Sequence, residues 1–201
     1  MNSAGLPRLQ IVILAAGFSA RLGRPKALTR VHGTTLLRRT LCVVARLTRK
    51  PIVIVLPPKT ARYRVETKGP AVRLVGNARR SAGLSSSVRL AIARARYAPA
   101  LLFVPVDLVA LRRREIAALI SRWRANPRRV IARRVGSDPA TPLILPRWLY
   151  GAAGEITGDA GLRELVRDLP PIQRVLMNMA SAGPDVDTPE DLSAARRIRS
   201  N

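Results

Sequence analysis

Short apolar runs recur along the chain: LQIVILAAG at residues 9–17, PIVIVLPP at 51–58, AVRLVG at 71–76 and ALLFVPV at 100–106. None alternates cleanly between apolar and polar positions, so each reads as a strand covered on both faces. Segments with apolar residues at three- and four-residue spacing follow them: TTLLRRTLCVVARLTR at 34–49, AGLSSSVRLAIARARYA at 82–98 and LRRREIAALISRWRAN at 111–126. These predict helices, the first with Thr34 or Thr35 as N-cap and the second beginning at its serine cluster. RRVIARRV at 128–135 and PLILP at 142–146 predict later strands, and GLRELVRDL at 161–169 and PEDLSAARRIRS at 189–200 predict later helices.

Strands interleaved with helices imply a mainly parallel sheet covered on both faces. The expected architecture is a three-layer αβα sandwich. With no repeat, linker or composition break, it forms one domain over residues 1–201. In such sheets ligands bind beyond the carboxyl ends of the strands, and the loop after the first strand leaves at that edge.

The hydrophobic share of 47% is enough for a core of ordinary size, and aromatics at 3% leave that core to Leu, Val, Ile and Ala. Cys42 stands alone, which excludes an internal disulfide, fits a reducing compartment and reads as a small buried residue of a helix. The first ten residues lack the pattern of a signal peptide, and no apolar stretch is long enough to span a bilayer, so a cytoplasmic protein without a membrane partner is expected. The formal net charge is +24, and all but Lys26, Lys50, Lys59 and Lys68 of the 36 basic residues are arginine. Because the arginines are spread along the chain, they read as a solvated basic surface, and no specific nucleic-acid partner is expected.

The most informative stretch is LAAGFSARLGRPKAL at 14–28. Gly17 and Gly23 relax the backbone and let main-chain N–H groups approach a ligand, while Arg21 and Lys26 add positive charge. That is a phosphate-binding design. It contains neither the Gly-Lys-Ser/Thr of a Walker loop nor the G-x-G-x-x-G of a dinucleotide fold.

Leu14, Ala15, Ala16, Gly17, Ser19, Arg21, Leu22, Gly23, Pro25 and Lys26 together resemble the signature of the MobA-like NTP transferases, and most of all that of the molybdenum-cofactor cytidylyltransferases. The resemblance runs from about Ile11 to Leu192. It includes Asn77, Gly83, Leu84 and Ser87 in NARRSAGLSSS, Asp107 after ALLFVPV, Gly158, Asp159, Gly161 and Arg163 in TGDAGLR, and Asp185, Asp187, Thr188, Pro189 and Asp191 in DVDTPED. It implies a Rossmann-like sheet of the nucleotide-diphospho-sugar transferase type and transfer of a nucleoside monophosphate with loss of pyrophosphate. Ala16 leans the donor toward CTP, and the implied acceptor is a phosphorylated small molecule, molybdopterin. Molybdoenzymes or cofactor-assembly proteins are the candidate protein partners.

By the same resemblance Arg21, Lys26 and Asp107 are the catalytic candidates. Leu14, Ala15, Ala16, Gly17, Ser19, Arg21, Lys26, Asn77, Gly83 and Ser87 are the nucleotide-binding candidates, and Asp107 with Asp187 the pair for Mg2+. Apart from the family, the first-turn N–H groups and hydroxyls of the helix at 82–98 can serve a nucleotide, and Thr188-Pro189-Glu190-Asp191 reads as a helix start. His32 reads as a turn residue.

Two departures stand out. Leu108 follows Asp107 where the family carries Gln or Met, and Thr141 stands in place of a histidine; both are expected near the acceptor. They leave room for another acceptor such as a sugar phosphate, or for a weakened enzyme that uses its basic surface to bind.

Overall fold

The computed structural model describes residues 9–158, 161–180 and 185–197. In chain order the elements are β1 (Gln10–Leu14), β2 (Arg30–Val31), β3 (Thr34–Thr35), α1 (Leu36–Ala45), β4 (Ile52–Leu56), β5 (Val72–Gly76), α2 (Leu84–Arg94), β6 (Ala100–Pro105) and α3 (Arg113–Ala125). They continue with β7 (Val130–Val135), β8 (Asp138–Pro146), α4 (Tyr150–Glu155), α5 (Gly161–Arg167), β9 (Arg174–Met177) and α6 (Pro189–Arg197), with short 3-10 turns between.

Seven strands form one sheet in the order β5-β4-β1-β6-β8-β7-β9. Every pairing is parallel except those of β8 with β6 and with β7. The expected mainly parallel sheet is present. The alternation of strands with helices is broken where β7 turns straight into β8 through Gly136, whose φ of 59° suits a tight reversal.

Side chains of β1 show how the three layers form. Successive residues point to opposite faces. Ile11 and Ile13 pack with Leu37, Leu41 and Val44 of α1, Ile116 and Leu119 of α3 and Leu192 of α6. Val12 and Leu14 pack on the other face with Val88 and Ala91 of α2, Ala153 of α4 and Leu162 and Val166 of α5. Each buried Ile, Leu or Val among them contributes roughly 1.5–3 kcal/mol by leaving water.

The first helix is shorter than its periodicity implied. Thr34 and Thr35 pair with Arg30 and Val31 as a hairpin whose turn residues, His32 and Gly33, have φ of 47° and 75°. His32 is thus the turn residue expected. Thr35 then caps α1, its Oγ1 accepting the Arg38 N–H at 3.2 Å. Cys42 lies in α1, but it is exposed rather than buried, because Leu37, Leu41 and Val44 form the inward face.

The sequence pattern did not mark α4 or β9. YGAAGE carries two glycines of low helix propensity, and RVLM is only four residues, each half-buried at the sheet's edge. Among the described residues no helix is long and apolar enough to cross a membrane.

Candidate active site

β1 ends at the carboxyl edge of the sheet, and the Ala15 N–H continues its ladder by donating to Val55 O at 2.9 Å. The chain then turns out over that edge. Gly23 has the positive φ expected of it, 67°, whereas Gly17 does not; Ser19 takes the other left-handed position at 55°. Its hydroxyl accepts the Lys26 N–H at 3.0 Å and its carbonyl accepts the Leu22 N–H at 3.1 Å, so Ser19 closes the loop upon itself. A Cβ on Gly17 would meet open space, which leaves this backbone approachable from the cleft.

β6 delivers Asp107 two residues past its end, beside this loop. Asp187 arrives from the far end of the chain through one backbone bond, Val186 N–H to Asp107 O at 3.1 Å, with Val186 buried in the core. The helix start foreseen at Thr188 then fixes Asp187. Asp191 Oδ2 accepts the N–H groups of Asp187 and Thr188 at 2.9 and 2.8 Å, and Thr188 Oγ1 accepts the Asp191 N–H at 3.1 Å.

The result is a knot of charge. Lys26 Nζ donates to Asp107 Oδ2 at 2.9 Å and to Asp187 Oδ1 at 2.5 Å, and Arg21 donates to Asp187 Oδ2 at 2.7 Å. Two carboxylates separated by eighty residues therefore converge on one cation. The Lys26 side chain is 14% exposed and that of Arg21 is 70% exposed. The Arg21 pair is weak and screened, so Arg21 is the cation more easily released to a ligand.

Burial alone would pull the Lys26 ammonium down, but the Asp107 charge and the hydrogen bonds to both carboxylates hold it above the usual lysine range. The hydrogen bond from Lys26, with the charges of Lys26 and Arg21, holds Asp187 below the usual carboxylate range against its burial. Asp187 therefore stabilises the fold at neutral pH and loses that contribution as the pH falls through its lowered value. Asp185 goes the opposite way: burial and the Asp107 charge push it up, with Arg133, 3.2 Å away, opposing them. It costs stability once the pH rises through its raised value.

A cleft of about 460 Å³ opens over this cluster. Leu14, Ala15, Ala16, Gly17, Ser19, Arg21, Lys26, Gly83, Ser87, Asp107 and Asp187 all line it. Asn77 does not. It is 2% exposed beneath α2, where its amide donates to Ser86 Oγ at 2.8 Å and Ser87 Oγ at 2.9 Å and its oxygen accepts the Arg79 N–H at 2.9 Å. Ser87 accepts from Asn77 and retains its own proton to donate into the cleft. The first-turn N–H groups of α2 are less open than expected, since Ser85 N donates to Gly158 O and Ser86 N to Gly83 O. Asn77→Ala should remove a donor from the buried Ser86 and Ser87 hydroxyls and the acceptor of the Arg79 N–H, costing about 2 kcal/mol and lowering Tm by roughly 4–8 °C; calorimetry showing an unchanged Tm would contradict this.

Of the two departures, Thr141 lines the cleft but Leu108 does not. Leu108 is buried with Val109, Leu111 and Val186, so its lack of an amide group costs the cleft nothing. Arg163 pairs with Asp138 at 3.3 Å, and Asp159 falls outside the described residues. Phe18, Arg80 and Asp185 also line the cleft and were not among the site candidates. For Asp185 the D-V-D alternation was the available signal, because with Val186 turned inward its two neighbours face the other way.

The family model of the MobA-like NTP transferase domain matches residues 11–175. A protein of Rhodopirellula baltica named a probable molybdenum cofactor guanylyltransferase is 30% identical over 148 residues, 72% of this chain and 70% of that one. Among solved structures, Rv0371c from Mycobacterium tuberculosis H37Rv superposes with a TM-score of 0.76 at 25% identity, over 94% of this chain and 98% of that one. The same protein in complex with manganese gives a TM-score of 0.75 at 23% identity, over 96% and 100%. Matched over most of its length, and with the signature loop folded at the strand edge where a nucleotide would bind, the chain belongs to the MobA-like NTP transferase family and is a nucleotidyltransferase.

Proposed function

We propose that the chain moves CMP from CTP to a phosphorylated acceptor of the molybdopterin class, with Mg2+ as cofactor. The observation that carries this reading is the convergence of Lys26, Asp107 and Asp187 at the mouth of the loop that begins at Leu14. An acceptor phosphate oxygen attacks the α-phosphorus, the bond from the α-phosphorus to the bridging oxygen breaks, and pyrophosphate leaves with the electron pair. No nucleophilic side chain is needed, so positioning and charge supply the acceleration.

The loop backbone from Ala15 to Ser19 carries the triphosphate, Arg21 forks onto phosphate oxygens, and Lys26 acts as a point charge. Asp107 and Asp187 would hold the divalent ion. Asp107 fits that role, since its Oδ1 is buried with no hydrogen-bond partner among the described residues, and hard divalent ions take carboxylate oxygen. When bound, the ion neutralises charge on the nucleotide and acceptor phosphates. Manganese in the Rv0371c structure supports a divalent cation without choosing magnesium.

Ala16, which lines the cleft, supports the base assignment through the resemblance, in which alanine at this position goes with cytidylyl transfer. The relative's name, a guanylyltransferase, makes GTP the competing donor. Thr141, at the acceptor side, offers a hydroxyl to the incoming phosphate.

Thermal unfolding with MgCl2 and CTP, GTP or ATP tests the donor. A nucleotide at a hundred times its Kd adds about 2.7 kcal/mol, which raises Tm by several degrees. CTP is expected to give the largest rise. A larger rise with GTP would reassign the base, and no rise with any nucleotide, beside salt-sensitive binding to DNA, would replace the enzymatic reading with a binding one.

A further inference from the structure

A second, smaller cavity of about 80 Å³ adjoins the cleft, with Phe18 lining both. Ala15, Gly17, Phe18, Lys26 and Arg80 line both spaces, so the two adjoin along the loop; Pro57, Arg62 and Tyr63 are among the residues that line only the smaller one. Its charge is one-sided. Arg62 and Arg80 form no salt bridge among the described residues, and no carboxylate lines the cavity. Each guanidinium rests instead on a ring: Arg80 lies 3.9 Å from the Phe18 centroid and Arg62 5.5 Å from that of Tyr63.

Phe18 is 57% exposed, and a cation on an exposed ring is held more weakly than one bonded to phosphate oxygen. Arg80 is thus stored where an anion can take it over, and Arg62, itself exposed, lines the same cavity. Burial pushes the Tyr63 hydroxyl up despite the opposing charges of Arg62 and Arg80, so it remains a neutral donor beside them at any physiological pH.

We propose that this side pocket binds the terminal phosphoryl group of pyrophosphate, both as the tail of the bound nucleotide and after transfer, with Arg62 and Arg80 as its ligands. The inference rests on the nucleotidyl-transfer reading and adds a place for the leaving group. The pocket is sized for one phosphoryl group, so the other end of the diphosphate stays on the Gly17–Ser19 backbone with Lys26 between them. As the bond from the α-phosphorus breaks, the added charge on the leaving group falls among three cations.

Isothermal titration of the full chain with sodium pyrophosphate tests this. Arg62→Ala removes an exposed side chain whose ring contact is with Tyr63, and Arg94→Ala removes an exposed arginine of α2 that lines neither space. Arg62→Ala should weaken pyrophosphate binding about tenfold, as for loss of one charge-assisted contact, while Arg94→Ala changes it less than twofold. Equal weakening by the two variants would reduce the effect to net charge and overturn the pocket, and so would absence of binding by the unaltered chain. Thermal shifts with MgCl2 and nucleotide on the same samples report the enzymatic reading separately. Arg62-dependent pyrophosphate binding without any nucleotide shift would keep the pocket and sink the transferase substrates.

Discussion

Asp107→Ala is expected to lower the rate of nucleotidyl transfer by on the order of 10² or more while the chain stays folded. The surroundings of the carboxylate fit the proposed metal role better than a packing role. One oxygen bonds Lys26 and the other is buried with no hydrogen-bond partner among the described residues, a cost that a purely structural residue has no reason to carry. Removing the side chain relieves that orphan oxygen. It also spares the backbone bond from Val186 N to Asp107 O that ties the closing segment to β6, and Lys26 keeps Asp187 as partner. Pyrophosphate release with CTP, MgCl2 and molybdopterin measures the loss, and circular dichroism with thermal unfolding measures the fold. Asp107→Asn keeps the shape and removes the charge, so it should fall nearly as far. An asparagine variant near the unaltered rate would show that no anionic ligand is needed there.

Much of this site was legible before the fold was known, for a physical reason. The proposed phosphate loop needs small residues and cations at fixed spacing, and 14–28 has them in one continuous run. The sheet was legible because strands buried on both faces show as unbroken apolar runs. Pairing through long-range contacts was not. The antiparallel insertion of β8 depends on a turn at Gly136 that any loop could contain. Nor does local spacing show that Val186 brings Asp187 to Asp107; that meeting was expected only through resemblance, and the family match at residues 11–175 stops short of it. Asn77 shows the opposite error. A polar residue in a signature segment was expected on the ligand, and the fold instead buries it as a brace for Ser86 and Ser87. Phe18 and Arg80 carry no local signal, because their contact is a ring and a guanidinium brought together across about sixty residues.

Lys26→Met should be as damaging as loss of Asp107, and it separates the charge cluster from the fold more sharply. Methionine fills similar space without charge, so the half-buried carboxylates of Asp107 and Asp187 lose the cation they share. Activity is expected to fall on the order of 10² or more, since the triphosphate loses its point charge as well. The stability signature follows from the sign of the pKa shifts. Asp187 is held low chiefly by its hydrogen bond from Lys26, so its stabilising contribution is present at neutral pH and lost as the pH falls through the carboxylate range. The Lys26 shift is upward, so its own contribution persists until the pH climbs through its raised value. The Tm gap between the unaltered chain and Lys26→Met should therefore be widest near neutral pH and narrow toward acid. With the ammonium gone, a divalent cation meets less competition for the same two carboxylates. MgCl2 should then raise the Tm of Lys26→Met by more than it raises that of the unaltered chain, at matched ionic strength. Equal magnesium responses in the two proteins, or a Tm gap that does not change with pH, would mean that Asp107 and Asp187 do not act as one cation site.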